Sequence, residues 1–315
     1  WLSKPLRTAV THRHSLSAAG GTEVFRYSLD LNAAFNPGVM KGSEQNTKSL
    51  NFSMTYRKEN VMVGASINLS ESGGHNSPYG SFSEYTRVNP YYRPTNEFGE
   101  YLQQLDNHTG AGSVPIANPL YNANVGIKDL TSNTNITASL NLEYRLLKNL
   151  RLTENLSYMR GMARTENFLP AAHTSFITEL DKTLRGRYTK NTGEMTSWSS
   201  NLGLNWNMSL RKHLFSVFGN WTLSEDRSNY VNLSAVGYPD PHMDDFIFGN
   251  KMTTSPSGSE SIARSMGFIT QLSYSYDNRY SVDVNVSSEI TSRYADHNLT
   301  PFWSVGLRWN AYREK

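Results

Sequence analysis

One pattern recurs from residue 25 to residue 309: short stretches in which apolar and polar side chains alternate. Phe25, Tyr27, Leu29, Leu31 and Ala33 are apolar, and Arg26, Ser28, Asp30 and Asn32 stand between them. The alternation returns over Leu50 to Tyr56, Val61 to Leu69, Ile136 to Tyr144, Leu150 to Tyr158, Trp198 to Leu210, Phe215 to Trp221, Met266 to Tyr276, Tyr280 to Val286 and Trp303 to Trp309. Within Leu150 to Tyr158, Glu154 is the one violation. Period two marks strands whose two faces meet different surroundings. With a weaker run near 13–19, the chain predicts about eleven strands.

The connections alternate as well. Gly20-Gly21-Thr22, Arg57 to Asn60, Leu147 to Asn149, Arg211-Lys212 and Asp277-Asn278 suit tight hairpin turns. The other connections, about 36–46, 72–133, 161–195, 225–262 and 294–300, are longer, and three of them exceed what a compact domain tolerates without structure. A soluble sandwich has no reason to gather its long loops at one end. A transmembrane barrel of the outer-membrane type does, with short turns inside, long loops outside and strands apolar toward lipid.

Composition fits that architecture. Only 37% of residues are hydrophobic, yet Tyr (18), Phe (13) and Trp (6) are plentiful, as expected if each strand buries one face. No run of eighteen apolar residues exists, which excludes a helical span. Arg26, Asp30, Arg57, Glu143, Arg145, Asp283 and Glu289 fall on the polar face, where a dry core would penalise them and a wet lumen accepts them. Tyr56, Tyr144, Tyr276 and Tyr280 beside short turns, and Tyr158, Trp198, Trp221 and Trp303 toward the long loops, match two interfacial girdles; ordinary cross-strand aromatic pairing is the alternative. The net charge of +3 is small and its cations are scattered, so no nucleic-acid footprint is present. There is no cysteine. An odd strand number leaves an antiparallel barrel unfinished, and the first residue is Trp1, so the chain reads as part of one larger barrel domain.

Specific stretches carry a resemblance. SPYGSFSEYTRVNPYYRP (77–94), NPLYNA (118–123), the opening WLSKPLRTAVTHRHSLSAAGG (1–21) with RYSLDLN (26–32) and GVMKGS (38–43), and the closing YDNRYSVDVNVSSEITSRYADHNLTPFWSVGLRWN (276–310) resemble the barrel of SusC/RagA-type TonB-dependent outer-membrane transporters of the Bacteroidetes. The resemblance implies an all-β, antiparallel up-and-down transmembrane barrel, here a partial wall without the plug domain, TonB box or C-terminal strands. It implies active import of oligosaccharides, peptides or similar large nutrients across the bacterial outer membrane. The partners it implies are a SusD-like lipoprotein lid, TonB acting through the plug, outer-membrane lipid and a second copy of the transporter–lid pair. A passive porin and a surface β-protein acting as an adhesin or glycan binder remain the alternatives.

Loops on a rigid scaffold usually carry recognition. Tyr79, Phe82, Tyr85, Arg87, Tyr91, Tyr92 and Arg93 offer flat apolar faces with polar tips and cationic donors, suited to sugar rings or peptide backbones. A motif shared across a family is better explained by packing of the loop against its own barrel, and packing is the preferred expectation here. Asp240, His242, Asp244 and Asp245 in YPDPHMDD form a carboxylate-rich turn. A solvated acidic turn is the main reading, with a loop-stabilising Ca2+ as the alternative. His12 and His14 share one strand face without a third ligand, and no nucleophile elbow frames the serines. No catalytic residue and no cofactor is expected.

Overall fold

Each alternating run becomes one strand of a single antiparallel sheet in the computed structural model, which describes residues 1–107, 114–293 and 300–314. Among those residues the strands are β1 (His12–Gly21), β2 (Phe25–Pro37), β3 (Glu44–Lys58), β4 (Val61–His75), β5 (Gln104–Asn107), β6 (Pro115–Ala117), β7 (Lys128–Leu147), β8 (Leu150–Leu169), β9 (Arg187–Leu210), β10 (His213–Val236), β11 (Lys251–Met252), β12 (Ser257–Tyr276), β13 (Tyr280–Thr291) and β14 (Thr300–Trp309). The wall runs β1-β2-β3-β4-β7-β8-β9-β10-β12-β13-β14, with β11 added to β10. β5 and β6 pair only with each other, inside a loop. The eleven strands of the path follow chain order, so the wall is up-and-down as expected.

The tight turns take the geometry that twisted hairpins demand. Asp277 and Asn278 both have positive φ, 50° and 53°, as in a type I′ turn whose twist matches its strands. Glu59 (φ 50°) and Arg211 (φ 53°) mark the turns after β3 and β9.

Register shows how the strands lean. One row of paired residues on the apolar face runs Phe25, Tyr56, Val63, Leu142, Glu154, Leu202, Trp221. It begins beside the short turns at Phe25 and ends eight residues into β10 at Trp221, so the row climbs across the wall. Six strand spacings of about 4.8 Å at a tilt of about 40° give a rise of roughly 20 Å, close to the height of an outer-membrane apolar band. Glu154 lies within this band, and its carboxylate accepts the Ser200 hydroxyl at 2.7 Å, which satisfies the acid locally.

The opposite face is bridged by small polar side chains. Ser28 and Ser53, Ser66 and Ser139, and Ser157 and Ser199 each lie 2.8 Å apart, and Asp30 and Asp283 accept from Ser17 and Ser273 at 2.6 Å. These contacts satisfy polar groups without an apolar core.

The strands outrun the sequence-based expectation. β9 and β10 have 24 residues each and β7, β8 and β12 have 20. The loops expected at 72–133, 161–195 and 225–262 therefore shrink to 76–127, 170–186 and 237–256, and 36–46 shrinks to 38–43. Beyond Tyr158 and Trp198 the outward face carries Arg160, Arg164, Glu166, Lys190 and Glu194. Both faces are then polar, so period two disappears while the hydrogen-bonded ladder continues. The connection expected at 294–300 falls on 294–299, outside the described residues. Among the described residues no helix is long and apolar enough to cross a membrane.

Candidate functional site

The side chains that are fully buried gather where loops fold back on the wall. Tyr85, Leu120, Asn118, Phe168, Tyr188 and Tyr238 are all below 2% exposed. Two assemblies result, one built by the segment between β4 and β7 and one by the segment after β10.

In the first, the short helix α1 (Phe82–Arg87) starts at Ser81, whose hydroxyl caps the Ser83 amide. Tyr85 on α1 is 1% exposed and donates its hydroxyl to the carbonyls of Tyr79 (2.8 Å) and Pro119 (3.2 Å). Burial, then the nearby Glu84 charge, pushes its phenol well above the ordinary range. Asn118 is the second staple: its side-chain amide donates to Pro94 (2.9 Å) and Leu102 (2.7 Å), and its Oδ1 caps the Leu120 amide at 3.1 Å. The GVMKGS stretch docks beneath. Ser77 donates to the Lys41 carbonyl at 2.5 Å, and Gly42 (φ +74°) faces Pro78 so closely that a Cβ would lie 2.6 Å from its ring. Only glycine fits there.

This canopy encloses a cavity of about 810 Å3 with β7, β8 and the loop after β8. Asp129 at the start of β7 accepts from the side-chain amides of Asn76 (3.3 Å) and Asn167 (3.2 Å). Asn122 donates to Thr174 Oγ1 at 2.7 Å and accepts the Thr174 amide at 3.0 Å, locking the two loops together. His173 closes one side. Burial and the Arg187 charge lower its pKa from 6.5 to about 4, so it stands neutral, and its Nδ1 accepts the Ser175 amide at 3.1 Å. Phe82, Ile127 and Leu169 supply apolar surface.

The predicted contact residues divide. Tyr85 is a packing residue, and Tyr79 contributes its carbonyl to the same knot. Tyr92 is half-buried and hydrogen-bonds Asp106; burial, followed by that carboxylate, raises its pKa. Arg87, Tyr91 and Arg93 are exposed, Tyr91 at 92%. Of the motif, Ser77, Pro78, Gly80, Ser81, Phe82 and Glu84 line the cavity, whereas Tyr79, Tyr85, Arg87, Tyr91, Tyr92 and Arg93 do not. Asn122, Asp129, Asn167 and His173 escaped the sequence reading, because four residues from distant segments meet only through the fold; the NPLYNA stretch containing Asn122 was the one signal for any of them.

The acidic turn is also placed. Asp240 accepts the His242 amide (2.8 Å) and lies 2.9 Å from His242 Nδ1, Asp245 caps the Ile247 amide at 3.3 Å, and Asp244 pairs with Lys128 at 3.1 Å. The three carboxylates thus serve three separate contacts, and among the described residues no group of His, Asp and Glu is arranged to hold a metal ion. Beside them, Phe168, Tyr188, Ala235 and Tyr238 form a buried cluster with Phe246 packed on it. Glu166, 2% exposed, is surrounded by Arg164, Lys128 (3.4 Å) and Lys190 (3.6 Å). Burial alone would raise its pKa, but the Arg164 hydrogen bond and charge, joined by Lys128, outweigh that and lower it. The loop after β10 is thereby pinned to the outward face above the apolar band.

No family model and no curated protein matches the chain. Solved structures do. The RagAB peptide transporter superposes with a TM-score of 0.72 at 17% identity, covering 99% of this chain and 35% of that one. The fold is that of an outer-membrane TonB-dependent transporter barrel. The ferric citrate transporter FecA (TM-score 0.52, 9% identity, 94% of this chain, 38% of that) and the ferric-catecholate import receptor Fiu of E. coli K12 (0.52, 8%, 95% and 49%) share it. These neighbours are transporters and import receptors. The chain spans about a third of the length of the RagAB structures it matches, so it corresponds to a stretch of barrel wall, with the cavity under the canopy at its long-loop end.

Proposed function

We propose that this chain is a wall segment of an outer-membrane importer for oligosaccharides, peptides or similar large nutrients, energised through TonB and working with a SusD-like lipoprotein that closes over the long-loop end. The observation that carries the reading is the cavity of about 810 Å3 roofed by stapled loops on a RagAB-like wall. Its lining mixes amides and hydroxyls of Asn76, Asn122, Asn167, Thr174 and Ser175 with the carboxylates of Glu84 and Asp129 and the apolar faces of Phe82 and Leu169. Such a surface suits a hydrogen-bond-rich solute. Arg87, Tyr91 and Arg93 are exposed and suit contact with an incoming solute or with the lid. A plug and a TonB-interacting segment belong to the same reading, as does pairing of two transporter–lid units.

Uptake of defined oligosaccharides and peptides by cells carrying the complete gene, with and without TonB, tests it. Loss of uptake without TonB is expected. Unchanged uptake would indicate a passive pore, and a chain that folds as a soluble monomer without detergent would indicate an adhesin-like β-protein.

A further inference from the structure

The outward face of β1 to β4 differs from the rest of the wall. Leu16, Leu31, Leu50 and Leu69 stand side by side in one register row, and in the next row toward the long loops His14, Ala33, Lys48 and Glu71 follow in the same order. A groove of about 410 Å3 spans the two rows. Ala33 is eight residues beyond Phe25; at about 3.3 Å per residue and a tilt of about 40° that is roughly 20 Å above the short-turn interface. The leucines therefore lie at acyl-chain depth on the long-loop side of the membrane, and Lys48 lies at head-group depth.

Charge sets this place apart. On β7 to β12 the outward cations beyond the girdle, Arg227 apart, are neutralised within the protein: Arg160 by Glu194, Arg164 and Lys190 by Glu166, Lys128 by Glu166 and Asp244, Arg264 by Glu225. Lys48 forms no ion pair among the described residues, although Glu71 is its cross-strand neighbour. Arg227 shares that lack, but the next outward residue toward the membrane is Glu225, so no apolar groove leads from it.

We propose that this groove binds one outer-leaflet lipid whose head group carries both a phosphate and an ammonium, as in a phosphoethanolamine head. Its phosphate meets Lys48 and His14, its ammonium meets Glu71, and an acyl chain lies along the leucine row. An unpaired cation beside an unpaired acid complements a two-charge head group better than a purely anionic one, and the apolar row gives the chain a fixed track.

The test is native mass spectrometry of the full-length protein extracted in detergent, loaded with dioleoyl phosphatidylethanolamine or dioleoyl phosphatidylglycerol. The wild type should retain one phosphatidylethanolamine in preference to phosphatidylglycerol. Lys48→Gln should weaken that retention about fivefold, the effect of one cation at a membrane surface, while Arg227→Gln leaves it unchanged. Glu71→Gln should abolish the preference between the two lipids, which tests the site independently if the Lys48 variant fails to fold. Equal retention of both lipids by the wild type, or equal losses in the Lys48 and Arg227 variants, would overturn the proposal.

Discussion

The hydroxyl of Tyr85 lies 3.2 Å from the carbonyl oxygen of Pro119, a residue 34 positions further along the chain. One buried phenol thus ties the two halves of the segment between β4 and β7 and fixes the roof of the cavity. The motif around Tyr85 shapes that space and also lines it, with Ser77, Pro78, Gly80, Ser81, Phe82 and Glu84.

Removing the hydroxyl should loosen the roof. Tyr85→Phe leaves two carbonyls without their donor, a cost of about 1–2 kcal/mol, and Tyr85→Ala adds a cavity for about 3–5 kcal/mol. Hydrogen exchange over 77–127 should rise in that order. Unchanged protection in the alanine variant would show that Asn118 suffices alone.

The neutral imidazole of His173 makes the loop after β8 acid-sensitive. Its pKa is depressed in the folded loop, so protonation favours the open form: the loop is fully stable above about pH 6.5 and loses stability as pH falls through about 4. His173→Asn keeps an acceptor for the Ser175 amide and cannot titrate, so protease cleavage in 170–186 should lose its pH dependence over that window. A variant that still titrates would place the sensitivity in another group.

The pinned loop after β10 offers a graded pair. Glu166→Gln leaves Arg164, Lys128 and Lys190 crowded without their buried counter-charge and should cost about 3 kcal/mol. Asp244→Asn removes a half-exposed partner and should cost under about 1 kcal/mol. Protease accessibility of 237–256 in outer-membrane preparations reads the difference, and equal effects would mean that the aromatic cluster around Tyr238 alone holds the loop.

The two faces of β9 should respond oppositely to a charge. Leu204 lies midway along the apolar run from Trp198 to Leu210, where an arginine costs about 2–4 kcal/mol against lipid. Asn205, on the polar face, should accept Arg at little cost. Folding yield into lipid vesicles compares them, and similar losses for both would contradict the assignment of faces.

The alternation of Phe25 to Ala33 or Trp198 to Leu210 was legible because lipid on one side and water on the other impose a period of two on every strand that crosses. Five of the ten strand pairings followed from the short turns, which leave neighbours in sequence no choice but to pair; the five across the longer connections rested on the barrel expectation. Arg164 to Phe168 and Arg187 to Glu194 were not legible as strand, since above the apolar band both faces are polar and only cross-strand hydrogen bonds keep the chain extended. The roles of Tyr85, Asn122, Asp129 and His173 were decided by tertiary structure alone. Loop packing joins residues far apart in the chain, Asn122 with Thr174 and Asp129 with Asn76, and no periodicity records which partner a side chain will meet.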